Sequence, residues 1–168
     1  MPPKDTMMVR WIDGFYGGLI AGVMSAIFHA LVSVAWLHDM TLSELFAQVA
    51  QALPPFHGAP PSWALVGLGV VLWLLVAVAF GILYALLARH VRSMWRAPGS
   101  VVWGLCYGLL VWWLINDVAV PVSGAVVTEP LWVGLLGTVL FYGVLLSEAT
   151  TMALRRRRLD LSGPGVVL

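Results

Sequence analysis

The run GFYGGLIAGVMSAIFHALVSVAW, residues 14–36, carries a single ionisable side chain, His29. At about 1.5 Å of rise per residue, a helix of this length crosses a hydrocarbon layer about 30 Å thick. In lipid the backbone must satisfy its own hydrogen bonds, so a helix is the form open to it. Gly14, Gly18, Gly22, Ser25, His29 and Ser33 follow one another at steps of three or four. That spacing gathers them on one stripe of the helix. A stripe with so little side chain admits a second helix at close range, which is how helices associate in lipid.

Three further apolar runs follow, at residues 64–88, 100–118 and 131–154. The 168-residue chain is 61% hydrophobic and 10% charged, against about 25% charged in soluble domains. A soluble core in so short a chain cannot hide four such runs. The expected fold is therefore all-α, an integral membrane four-helix bundle forming one domain over residues 1–168. Gly104 and Gly108 stand at GxxxG spacing in the third run, and Gly134 and Gly137 mark a packing face on the fourth. The opening MPPKDTMMVRW lacks the pattern of a signal peptide, so the first span is expected to be retained. Residues 42–53 between spans one and two are amphipathic at helical spacing, and Thr41 with Glu44 matches a capping box. This segment is expected as a short interfacial helix on the membrane surface, or as a loop helix packed on the bundle end. Prolines at 54, 55, 60 and 61 then break it.

The cations orient the bundle. Lys4 and Arg10 precede span one, Arg89, Arg92 and Arg96 lie between spans two and three, and Arg155, Arg156, Arg157 and Arg158 follow span four. With four spans, all nine fall on one side, which the positive-inside rule makes cytoplasmic. Both termini are thus expected inside, in the inner membrane of a bacterium. Trp11, Trp36, Trp63, Trp95 and Trp132 sit near span ends, as an aromatic belt requires. The arginine run directly after a span fits anchoring to anionic lipid headgroups better than nucleic acid.

A two-helix repeat is visible in outline. GLIAG (18–22) and GLCYG (104–108) occupy similar places in spans one and three, and AFGIL (79–83) and FYGVL (141–145) do so in spans two and four. Both pairs keep the same direction, which is the pattern of a parallel duplication.

The glycine-rich first span, GILYALLARH (81–90), WGLCYGLLVWWLINDVAVPVSG (103–124) and the arginine-ended last span resemble the YagU-like uncharacterised bacterial inner-membrane proteins. The resemblance covers most of the chain in layout. It implies a multi-span inner-membrane protein and supplies no activity. That family's pattern places histidines in its later helices, where this chain has Asn116 and Ser147-Glu148. A function resting on those histidines does not carry over.

Few polar side chains fall inside the spans. His29 and Asn116 lie at similar depth on helices running the same way, so His29 is expected to bond Asn116 or Asp117. A structural clasp is preferred to a proton or cation station there. Glu148 is the deepest carboxylate in the last span, with Arg10, Arg89 and Arg92 at the right level to pair with it and Asp13 able to join. A boundary ion pair is again preferred, and a binding group of a conduit is the alternative. His29 is the one deep histidine, so a bis-histidine haem is not expected. Neither metal nor other cofactor is expected, and Cys106 reads as core filler. No phosphate loop or nucleophile motif is present, so no enzyme activity is expected. The expected function is a non-catalytic accessory subunit, assembly factor or scaffold, partnered by the bilayer and by other membrane subunits or its own copies. The alternative is a small proton, ion or solute conduit built from a homo-oligomer.

Overall fold

The computed structural model describes residues 9–95, 98–123 and 129–161. Four helices are long and apolar enough to cross a membrane: α1 (Trp11–Trp36), α3 (Trp63–His90), α4 (Gly99–Ser123) and α5 (Leu131–Arg156). A shorter helix, α2 (Leu42–Gln51), joins the first two. Among the described residues no strand forms.

Glycine decides which helices touch. Gly14 and Gly18 of α1 lie against Gly81 and Ala77 of α3, and Gly22 lies against the Ala77 methyl. Gly104 and Gly108 of α4 lie against Gly143, Thr138 and Val139 of α5. The chain therefore makes two antiparallel hairpins, α1–α3 and α4–α5. They join chiefly through α1 and α5, where Gly17 packs on Leu146 and Thr150. Both α1 and α4 run from what we term the terminal end, where Trp11 and Arg156 emerge, toward the opposite end. Close backbone approach is useful here because lipid is as apolar as leucine, which leaves van der Waals contact to hold helices together.

The two hairpins repeat each other in their central glycine contacts. A side chain on Gly81 would overlap the Gly14 carbonyl and the Gly18 backbone; one on Gly143 would overlap the Gly104 carbonyl and the Gly108 backbone. The structure thus matches Gly81 with Gly143, as AFGIL and FYGVL do. It matches Gly14 and Gly18 with Gly104 and Gly108, one turn earlier than the expected pairing of GLIAG with GLCYG. Further along, Gly18 meets Ala77 and Val78, whereas Gly108 meets Thr138 and Val139. The second hairpin has thus gained one residue between these contacts and Gly143. The gain falls inside the π-helical stretch Gly137–Val144, whose wider turns absorb an extra residue. Beyond it the match resumes with roles exchanged. The Trp73 indole donates to the Gly22 carbonyl at 2.9 Å, and the Trp112 indole lies beside Gly134.

Symmetry breaks between the hairpins. Where Gly17 lets α1 approach Leu146, the equivalent place holds Tyr107 facing Tyr84, with ring centres 5.0 Å apart. These rings hold α3 and α4 apart. Tyr107 donates to the Phe80 carbonyl and Tyr142 to the Ala77 carbonyl, each at 2.6 Å. Buried hydroxyls in a dry core need such acceptors.

Two more departures have local causes. The third span runs to Ser123, past the expected end at 118 and through Pro121. Proline removes an N–H and crowds the preceding turn, and the π-helical stretch Leu114–Ala119 opens that turn. The α2 helix packs on α3, with the Phe46 backbone seated on Gly69 and Ala47 and Ala50 beside Leu65. Thr41 caps it, accepting from the Glu44 N–H; the Thr41 N–H and hydroxyl in turn donate to the Glu44 carboxyl and hold it below its usual range.

Cys106 is exposed on the outer face of α4, not packed in a core. It lies about 10 Å inside the span from Gly99. A charged maleimide added to intact bilayers should leave it unmodified, and dodecyl sulfate should make it reactive. Labelling in intact bilayers would contradict a lipid-facing α4.

Candidate functional site

One polar group occupies each end of the bundle. At the opposite end, α1 turns π-helical from Ala30 to Trp36, directly after His29. His29 is 4% exposed, and its ring sits on Gly137 of α5, where any side chain would collide with Nε2. Its Nδ1 lies 2.9 and 2.8 Å from the two oxygens of Glu129. Ser33, one turn on, donates to Glu129 Oε1. Ser25, one turn back, donates to the Gly137 carbonyl at 3.1 Å. With Glu129 ionised it accepts from both neighbours, so Nδ1 carries the imidazole hydrogen. Phe28 stacks on Phe141 and Trp73 stands edge-on to His29, closing the group from the sides.

The partner expected for His29 is therefore corrected. Asn116 donates to the Trp112 carbonyl of its own helix, and Asp117 is exposed on α4. The reason is helix placement. The small-residue faces of α1 are taken by α3 and α5, which leaves α4 on the far side of the bundle. Glu129 stands just before Pro130, where it looks like a loop residue. The available signal was that the spans otherwise offer little to balance a buried imidazole.

Serine, histidine and glutamate in one cluster invite comparison with a hydrolase triad. The geometry does not make one. Ser33 bonds the carboxylate instead of the imidazole, and His29 Nε2 faces glycine. Nucleophile activation needs the serine–imidazole contact that is missing here.

The second group lies at the terminal end. Ser100, at the start of α4, donates to Glu148 Oε1 at 3.0 Å. Ser147 donates to the Ser100 carbonyl. Ser100, Ser147, Thr150 and Thr151 are all 0–1% exposed. Glu148 is half-buried, and neither Arg10 nor Arg89 pairs with it; the side chain of Arg92 lies outside the described residues. Among the described residues the one ion pair within 4.0 Å is His29–Glu129. Asp13 is buried and caps α1, accepting from the Arg10 N–H at 2.8 Å.

The remaining sequence-derived positions fall as follows. Gly14, Gly18 and Gly22 face α3, Gly104 and Gly108 face α5, Gly134 lies under Trp112, and Gly137 lies under His29. Arg155 and Arg156 are exposed at the end of α5, and the side chains of Arg157 and Arg158 lie outside the described residues. Among the described residues no three His, Cys, Asp or Glu side chains gather as metal ligands. No family model matches the chain, and neither a curated protein nor a solved structure is significantly similar to it.

Proposed function

We propose that this is a non-catalytic multi-pass protein of the bacterial inner membrane, serving as an accessory subunit, assembly factor or scaffold of a larger membrane complex. The supporting observation is how the bundle spends its interior. Its glycine faces are used against its own helices, and the His29 group is closed by Glu129, Ser33 and Gly137. Such a core supports a fixed shape. Contacts with other membrane subunits, or with further copies, then fall to the outer apolar faces. The layout shared with YagU-like proteins belongs to this reading.

In this reading both termini are cytoplasmic, since every lysine and arginine lies before span one, between spans two and three, or after span four. The α2 helix rests at the outer boundary, and Arg155 to Arg158 meet anionic headgroups. A reporter active only in the cytoplasm, fused at the C-terminus, should be active. Affinity purification in mild detergent should bring down a discrete set of membrane proteins. A monodisperse monomer with no companion would count against the scaffold reading. Glu148 favours a second reading, a small proton, ion or solute conduit formed by a homo-oligomer. Flux into proteoliposomes that falls in Glu148→Gln at equal folded protein would decide for it.

A further inference from the structure

The duplication shows what hairpin packing needs and what it does not. In the first hairpin, the places equivalent to Ser100, Ser147, Glu148 and Thr151 hold Arg10, Ala85, Leu86 and Arg89. Ala85 faces Gly14 as Ser147 faces Gly104, so the match is structural. The same helix pair therefore packs without a carboxylate or a hydroxyl at any of these points. The second hairpin carries all of them together.

We infer that Glu148, Ser100, Ser147 and Thr151 form a binding site for one monovalent alkali-metal cation at the terminal end of the bundle. Glu148 supplies a carboxylate about 12 Å inside the span from Arg156. Ser100 Oγ is already on Oε1, and Ser147 holds Ser100 in place through its carbonyl. Thr151 is 1% exposed and its Oγ1 has no hydrogen-bond partner. Standing three residues from Glu148 and four from Ser147, it shares their side of the helix. A buried hydroxyl left unpaired is destabilising, and a ligand at this place would relieve it. Tyr84, wholly buried on α3, donates its own hydroxyl to the Met94 carbonyl at 3.3 Å.

The donor set selects the ligand. Every atom is oxygen, which suits a hard cation and offers nothing to softer metals that prefer nitrogen or sulfur. One carboxylate balances one positive charge. Calcium sites in proteins draw on six to eight oxygens with several carboxylates, and magnesium keeps its water shell. An intramembrane carboxylate that, among the described residues, is bonded by a hydroxyl and paired with no cation is left with a charge that a single alkali ion neutralises.

The test is the unfolding temperature of the full chain in neutral detergent, at constant ionic strength, with sodium or potassium chloride replacing choline chloride. A ligand that binds only the folded state raises that temperature along a saturating curve. Wild type should show such a curve for at least one of the two ions. Glu148→Gln should abolish the dependence. Thr151→Val, which keeps the shape and removes the unpaired hydroxyl, should raise the half-saturating concentration about tenfold, with a choline baseline at or above that of wild type. Thr151→Val keeps the test decisive if Glu148→Gln fails to fold. A flat wild-type response would overturn the assignment. So would a curve unchanged in both variants, or one better saturated by magnesium or calcium at matched ionic strength. The result is independent of the scaffold reading, because a structural ion and a transported ion bind with the same curve.

Discussion

Gly81→Leu should prevent the first hairpin from closing, and Gly143→Leu should do the same to the second. At both places a new side chain meets carbonyl and Cα atoms of the facing helix. Backbone has nowhere to go, unlike the flexible tip of a side chain. Overpacking a core usually costs about 1–3 kcal/mol, and these two substitutions belong at or above the top of that range. The measurement is the dodecyl sulfate fraction at half-unfolding in mixed micelles, read by tryptophan fluorescence. Gly67→Leu is the control, since nothing lies within 4 Å of a Cβ placed there. It should leave stability near wild type. Equal tolerance at positions 67, 81 and 143 would mean that the glycine faces are not the packing faces. A large loss at 81 with none at 143 would break the structural equivalence of the two hairpins.

Glu129→Ala should destabilise the bundle by about 2–3 kcal/mol, because it strands the His29 imidazole and the Ser33 hydroxyl. The low end of the range for broken buried pairs is appropriate. Glu129 keeps 11% side-chain exposure and stands at a helix end, where water relieves part of the loss. His29→Ala should cost less, since Ser33 still satisfies part of the carboxylate. The double variant isolates the pair. A coupling of about 1.5 kcal/mol is expected, near the largest values found for polar pairs between membrane helices. A coupling near zero would show that the two side chains act separately. The corresponding cycle between His29 and Asn116 should give no coupling, since the helices that carry them do not share this interface.

These two experiments probe different kinds of information in the chain. The glycine contacts were legible at residue level, because a stripe of small residues is a property of one helix. His29 was equally legible as a residue that must be answered by something. What answered it was not, because Glu129 lies 100 residues away and immediately precedes a helix whose neighbour had to be chosen first. Depth along the helix offered Asn116 an equal claim. Depth carries no information on which side of α1 each helix stands.

The duplication sits between these cases. Its glycine motifs are visible as letters, yet their register was off by one turn in the first pair. Glycine and leucine recur too often for short motifs to fix an alignment. The facing atoms of Gly81 and Gly143 resolve it, and they also expose the extra residue hidden in the π-helical stretch of α5. That residue moves no hydrophobic character, so it leaves no trace in hydropathy.

Span number, the shared end for all nine cations and the small-residue stripes follow from the sequence alone. Each depends on the length, apolarity or spacing of a single segment against a bilayer of fixed thickness. Tertiary structure alone decided that α1 lies between α3 and α5, that tyrosines hold α3 and α4 apart, and that Glu129 closes over His29. Those outcomes depend on competition among whole helix faces for the closest backbone approach, and no single segment contains the result.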